Sequence, residues 1–141
     1  MQKNGKGIYL STAGDQYEGN FKNGEMEGDG IYIFSSGNIY EGEFSAGKKY
    51  GKGLFKYANG DKYEGQFQDD FMEGRGIYTF QNGDIYEGEW KNNKKDGKGS
   101  ISFIDGEEYD GEWTDDEIAG IGTFSYYNGD IYIGNWNEGK R

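Results

Sequence analysis

A chain of 141 residues with 26 acidic and 15 basic side chains carries a net charge of −11, which repels nucleic acid. It has no cysteine and no histidine, which excludes disulfides, thiol chemistry and the usual zinc ligands, and removes the commonest general base. No apolar run approaches the ~18 residues of a membrane span, and the N-terminal residues do not resemble a signal peptide. We therefore expect a cytoplasmic protein without a metal or other cofactor.

A tyrosine followed two residues later by glycine recurs every 23 residues, and this tyrosine is position 1 of each repeat. In chain order the pattern predicts a partial repeat over 1–16, full repeats over 17–39, 40–62, 63–85, 86–108 and 109–131, and a half repeat over 132–141. Aromatic residues occupy positions 1, 5, 16 and 18, with Ile101 and Ser11 as the exceptions, and glycines fill positions 3, 12, 14 and 21. A fixed period of this length indicates a repeat array, here one domain.

Two turn signals divide each repeat into two strands. One lies in positions 6–12, as in KNGEMEG (22–28), and the other is an Asn-Gly type at positions 20–22, as in ANGD (58–61). The pattern predicts an all-β fold, an elongated single-layer antiparallel β-meander of hairpins. About a dozen strands at ~4.8 Å each would span roughly 55 Å.

Alternation along the strands sorts the side chains onto two faces. Positions 1, 3 and 5 point to one face and the mostly acidic positions 2 and 4 to the other. Positions 14, 16 and 18 are expected to join the first set, which makes one face aromatic. The glycine at position 3, such as Gly88 in YEGEW (86–90), then leaves room for a neighbouring ring to lie on the backbone.

The columns YEGEW, GKG and NGD at this period resemble the MORN (membrane occupation and recognition nexus) repeats over essentially the whole chain. The resemblance implies a single, slightly twisted sheet of hairpins with an aromatic-lined groove on one face. It also implies a non-catalytic scaffold of cytoskeletal, ciliary or cortical assemblies. The position before the second glycine, often histidine in that family, is Glu27, Tyr50, Glu73, Asp96 or Ala119 here. Properties that depend on that histidine are not expected.

An aromatic groove of this kind suits a helix or extended peptide of a protein partner. The predicted groove residues are Tyr40, Phe44, Tyr63, Phe67, Tyr78, Phe80, Tyr86, Trp90, Tyr109 and Trp113. One alternative is a peripheral phospholipid-binding module, which the scattered basic residues disfavour. A second alternative is an accessory array of an enzyme whose catalytic part lies elsewhere.

A longer, 46-residue period overlies the repeat. Position 10 alternates between apolar Met26, Met72 and Ile118 and basic Lys49 and Lys95, and the surrounding loops alternate in charge. We expect neighbouring loops about 10 Å apart to attract weakly. The three apolar residues are predicted to form an edge that contacts a partner or a second copy.

The last strand, over 132–137, is expected to be an open edge that carries Tyr132 and Trp136. Unpaired edges are pairing sites, so a homodimer through edges or ends is a further hypothesis.

Overall fold

The computed structural model describes residues 4–137, which form an all-β chain as the sequence predicts. The strands are β1 (Gly5–Leu10), β2 (Gln16–Lys22), β3 (Glu25–Ile33), β4 (Ile39–Ser45), β5 (Lys48–Lys56), β6 (Lys62–Gln68), β7 (Phe71–Thr79), β8 (Ile85–Lys91), β9 (Lys94–Ser102), β10 (Glu108–Thr114), β11 (Glu117–Ser125) and β12 (Ile131–Trp136). Each full repeat therefore supplies a strand of 7 residues and a strand of 9 residues.

The chain divides into two compact units, Met1–Phe71 and Met72–Arg141. In the first unit each strand from β1 to β6 pairs antiparallel with the next strand in sequence. The second unit repeats this arrangement from β7 to β12. Each unit is thus an open antiparallel meander, and the prediction of a β-meander built from 23-residue hairpin repeats is confirmed.

The Asn-Gly turns between repeats have the tight geometry that their sequence favours. In the turn after β5, the Gly60 N–H donates to the Tyr57 carbonyl at 3.0 Å and the Tyr57 N–H donates to the Asp61 carbonyl at 2.9 Å. Gly60 has a φ of 102°, which side chains other than glycine rarely adopt. The Asn59 side chain accepts the Asp61 N–H at 2.9 Å and so closes the turn locally.

The first hairpin of four repeats contains a β-bulge that the sequence did not reveal. In β4 and β5, Gly42 faces Gly53 and Phe44 faces Lys49, so residues 50–52 of β5 lie opposite Glu43 alone. The Glu43 carboxylate accepts the Lys52 N–H at 2.7 Å and satisfies a donor that the bulge leaves unpaired. The bulge brings position 10 opposite position 5, on the aromatic face.

The predicted role of the position 3 glycine is borne out in the repeat over 40–62. The Tyr40 ring is completely buried and lies against Gly42 and Gly53, while its hydroxyl donates to the Glu43 carbonyl at 2.8 Å. A Cβ on Gly42 would lie 2.5 Å from the Gly53 Cα and 2.7 Å from the Lys52 carbonyl oxygen. Because both of these atoms belong to the backbone of β5, a methyl group on residue 42 can fit only if a strand moves.

We predict that Gly42→Ala lowers the free energy of unfolding by about 2–4 kcal/mol, since the added methyl displaces the Tyr40 ring or separates β4 from β5. Urea unfolding monitored by circular dichroism measures the change. Gly47→Asn is the matched control, because Asn93 holds the equivalent place with a φ of 69°. This control should change stability by less than about 1 kcal/mol. Equal effects of the two substitutions would contradict the packing argument.

Candidate functional site

The aromatic face has two layers, and the lower layer is a chain of edge-to-face ring contacts. In the first unit the Tyr17 and Phe44 centroids are 5.1 Å apart at 86°, and those of Tyr40 and Phe67 are 5.1 Å apart at 88°. In the second unit tryptophans replace the phenylalanines, and the Trp113 indole N–H donates to the Gly99 carbonyl at 3.0 Å. These contacts tie consecutive repeats together within each unit.

The upper layer consists of the rings at positions 16 and 18, which we name the aromatic shelf; they are half-exposed except for Phe55, which is buried at 8% exposure. In the first unit the shelf is Tyr32, Phe34, Phe55 and Tyr57, and in the second it is Tyr78, Phe80, Phe103, Phe124 and Tyr126. Tyr32 and Phe34 have centroids 4.6 Å apart, Phe55 and Tyr57 4.5 Å, and Phe34 and Phe55 5.8 Å. The rings of the first unit are therefore in continuous contact.

The predicted groove residues mostly lie one layer too deep to touch a partner. Tyr40, Phe44, Tyr63, Phe67, Tyr86, Trp90, Tyr109 and Trp113 are all at most 5% exposed. They are buried because each tyrosine folds over its glycines and each position 5 ring packs against it edge-on. Tyr78 and Phe80 remain half-buried, and they belong to the shelf. Their contact with a partner stays a prediction.

Lys49 is packed among the rings of the first unit. Its Nζ lies 5.9 Å from the Phe34 centroid, 5.9 Å from that of Tyr40 and 5.6 Å from that of Phe55. The same Nζ forms an ion pair with Asp70 at 3.2 Å, and the lysine side chain is only 16% exposed. An ammonium over ring faces and beside a carboxylate is stabilised by both.

Lys95 repeats this arrangement in the second unit. Its Nζ lies 5.6 Å from the Phe80 centroid and 5.6 Å from that of Trp113, and 3.5 Å from Asp116. The loops were expected to attract each other weakly from about 10 Å, but the pairs are in direct contact. The difference arises because the bulge turns position 10 towards the loop of the next repeat.

Main-chain hydrogen bonds join the same loops. The Asp70 N–H donates to the Lys49 carbonyl at 3.1 Å, and the Lys49 N–H donates back to the Asp70 Oδ1 at 2.8 Å. The second unit has two equivalent bonds at 2.8 Å. The Met72 N–H donates to the Asn93 side chain, and the Lys95 N–H donates to the Asp116 side chain. These acids, which sequence analysis would assign to solvated turns, therefore connect consecutive hairpins.

The position that is often histidine in the resembled family has a structural role here. Glu27 accepts the Ala46 N–H at 2.9 Å and Glu73 accepts the Asn92 N–H at 3.0 Å, each in the next repeat. At the opposite edge, Asn38 accepts the Ala58 N–H at 2.8 Å. No sequence signal other than the regular recurrence of side-chain acceptors could have indicated these contacts.

The predicted apolar edge differs from what the structure shows. Met72 is buried at 7% exposure, and Met26 and Ile118 are half-buried. The register places Met26 against Phe21 and Ile118 against Trp113, both of which are position 5 rings. These apolar residues belong to the aromatic face rather than to an exposed edge, and a contact with a partner through them stays a prediction.

The predicted open edge is β12. Tyr132 is half-buried and Trp136 is buried at 8% exposure, with the two ring centroids 5.2 Å apart. Trp136 also packs against Tyr109 at 5.7 Å. Pairing of this edge with a second copy stays a prediction.

A pocket of about 200 Å³ opens on the aromatic face of the first unit. Its lining residues include the shelf rings Tyr32 and Phe34, the ion-paired Lys49 and Asp70, and Met26. The pocket therefore has an apolar wall and a charged end.

Burial and nearby carboxylates shift the titration of the rings. Burial, and next the hydrogen bond to Asp15, raise the pKa of Tyr32 to about 12. The hydrogen bond from the Ser35 N–H, followed by that from Tyr32, lowers the pKa of Asp15. Burial first, and then the Asp61 charge, raise the pKa of Tyr57. The rings are consequently neutral at physiological pH, and Asp15 is ionised.

Within residues 4–137, no group of three or more histidine, cysteine or acidic side chains is placed to hold a metal ion. The same range contains no helix with the length and apolarity needed to cross a membrane.

The fold and its aromatic face define an open β-hairpin repeat protein. The MORN repeat family model matches residues 2–16, 17–39, 40–62, 63–85, 86–108, 109–131 and 132–141, and the chain belongs to this family. No curated protein matches the chain in sequence.

Solved structures similar to the chain include two domains of one kind. The TCP domain of SAS-4 (dCPAP) from Drosophila melanogaster, in complex with a proline-rich motif of Ana2 (dSTIL), has a TM-score of 0.56 and 15% identity, with 93% of this chain and 72% of that chain covered. The TCP10 domain of Danio rerio CPAP, in complex with a STIL peptide, has a TM-score of 0.30 and 14% identity, with 96% and 81% covered. The first similarity concerns the fold alone, and the second is too low to support a comparison.

We predict that the double variant Lys49→Met/Asp70→Asn changes the free energy of unfolding by less than about 1 kcal/mol. These two substitutions introduce the residues that the chain carries at Met72 and Asn93. In that native pair the position 10 N–H still donates to the side-chain oxygen of the next loop. Lys49→Glu should instead cost about 2–4 kcal/mol, because it places a carboxylate among rings beside Asp70. Urea unfolding measures both. A double variant as damaging as Lys49→Glu would show that the ion pair itself is required.

We also predict that stability falls as pH rises above about 10. A tyrosine whose folded pKa is raised keeps its proton in the folded state after the unfolded chain has lost it, so its stabilisation is complete below about 10. For Tyr32 this contribution is lost as pH rises from the ordinary value near 10 to about 12.

Urea midpoints at about pH 9 and about pH 11.5, with tyrosinate absorbance, measure this loss. Tyr32→Phe is the matched variant, since Phe55 and Phe124 hold the equivalent position. Its loss of stability in this pH range should be smaller than that of the native chain. An identical loss in both proteins would contradict the assignment to Tyr32.

Proposed function

We propose that this chain is a protein-interaction scaffold, which binds a helix or extended segment of a partner protein on its aromatic shelf. The observation that carries the proposal is the series of mostly half-exposed rings at positions 16 and 18 above a buried aromatic layer. Apolar surface of this kind on one face of a sheet commonly marks an interaction site. The shelf offers ring faces and one pocket, and catalysis is not needed to explain any of these residues.

The comparisons support a peptide as the partner. Membership of the MORN family fits a scaffold, and a domain with a similar fold, the SAS-4 TCP domain, is known in complex with a proline-rich motif. A cytoplasmic location, in an assembly of the cytoskeletal or ciliary kind, forms part of the proposal. It rests on the absence of cysteine and on the family.

Photo-crosslinking in cells tests the proposal. We would place the crosslinking residue p-benzoylphenylalanine at Phe34, on the shelf, and in a second protein at Ile31, which is 40% exposed on the opposite face. The replacement at Phe34 enlarges an aromatic ring that is already half-exposed, so the fold should tolerate it. We expect a protein adduct from position 34 that is absent from position 31, and mass spectrometry would identify it.

Three results would contradict the proposal. Protein adducts from position 31 alone would move the interaction to the opposite face, and lipid adducts from position 34 would favour phospholipid binding instead. The absence of any adduct from either position would indicate that the shelf has no partner in those cells. Circular dichroism of both purified proteins establishes that each is folded.

A further inference from the structure

We infer that the aromatic shelf of the first unit takes a basic peptide in the polyproline II conformation, with a proline at every third position. This inference rests on the proposed function, because it specifies the partner of the same surface. Three properties of the shelf carry it, namely its repeat distance, the tilt of its rings and the sign of its charge.

The repeat distance of the shelf matches one turn of polyproline II. Phe34 and Tyr57, both half-exposed, occupy position 18 in consecutive repeats, two strands apart along the sheet, and the buried Phe55 is the equivalent of Tyr32. At ~4.8 Å per strand, equivalent rings are ~9.6 Å apart. Three residues of polyproline II rise ~9.3 Å, whereas one face of an α-helix recurs after seven residues, or ~10.5 Å. The repeat length of a polyproline II peptide is thus closer to the ring spacing than the repeat length of an α-helix is.

The rings are tilted against each other and do not form a flat floor. The interplanar angles are 46° for Tyr32 and Phe34, 39° for Phe34 and Phe55, and 44° for Phe55 and Tyr57. Tilted aromatic rings form shallow clefts into which a pyrrolidine ring packs, and aromatic-lined grooves are the usual docking site of proline-rich segments. The adjoining pocket of about 200 Å³ accepts one further side chain.

The charges beside the shelf favour a basic peptide. Asp15 accepts a hydrogen bond from the Tyr32 hydroxyl at 2.9 Å, and Asp70 lines the pocket. The Asp61 carboxylate contributes to the raised pKa of Tyr57. The Lys49 ammonium over the rings pairs with Asp70 and offsets one of these three charges. With a net charge of −11, the whole chain adds long-range attraction for a cation. Arginine or lysine between the prolines would meet these carboxylates.

Fluorescence anisotropy with the full chain and three labelled peptides tests the inference. The first peptide has about three polyproline II turns, with proline at every third residue and arginine and serine between. The second has the same composition but no two prolines three residues apart. The third is a helix with the same number of arginines and leucine at every seventh residue. We expect the first peptide to bind about tenfold more tightly than either of the others, and more weakly as salt rises.

Two matched variants assign the binding to the shelf. Phe34→Ser and Ile31→Ser introduce serines that the chain already carries at the equivalent positions, Ser11 and Ser100. Phe34→Ser should weaken binding of the first peptide about tenfold, and Ile31→Ser should leave it unchanged. Circular dichroism confirms that both variants fold.

The outcomes separate this inference from the proposed function. Equal binding of the first two peptides, preference for the helix, or no binding of any peptide would overturn the inference. A helix that binds and loses affinity in Phe34→Ser would leave the shelf as a partner surface, so the proposed function would stand. Binding that fails only in Ile31→Ser would contradict both. If no peptide binds, the crosslinking experiment decides the proposed function separately.

Discussion

A tyrosine ring against two facing glycines is the contact on which the hairpins of the repeats over 17–39, 40–62, 86–108 and 109–131 depend. Because position 3 and position 14 lack a Cβ, the ring can lie against the backbone while its hydroxyl reaches a carbonyl three residues ahead. This placement buries the tyrosine completely and leaves its sides free for edge-to-face contacts with the position 5 rings. A chain without valine and with two leucines can in this way build its core almost entirely from rings.

The same contact also determines what remains at the surface. Since the rings at positions 1 and 5 are covered, the rings at positions 16 and 18 other than the buried Phe55 form the accessible layer. The lysines at position 10 lie between the layers, where Lys49 and Lys95 face several rings and one carboxylate. The shelf therefore combines aromatic rings, a pocket and an ion pair on one surface.

The sequence predicted the repeat, the strands and the purpose of the glycines, because each of these is a local property of a 23-residue pattern. It did not predict the β-bulge opposite Glu43. The pattern of aromatic and polar residues is compatible both with a regular hairpin and with one in which residues 50–52 lie opposite a single residue. That bulge places Lys49 among the rings, so the ion pair with Asp70 also escaped prediction. Eight of the ten predicted groove residues lie in the buried layer, because periodicity cannot tell which of two rings on one face covers the other.

The alternation of partners between successive loops has a consequence for misassembly. In a repeat protein, a hairpin that skips its neighbour and pairs with the next one along meets an almost identical surface, which permits domain swapping. Here Lys49 meets Asp70 and Met72 meets Asn93 in the native order. A skip of one hairpin would set Lys49 against Asn93 and Met72 against Asp116, which leaves a lysine among rings without its carboxylate and a carboxylate beside an apolar side chain. The two-repeat alternation thus discriminates against the nearest wrong pairing that an evenly repeating sequence would allow.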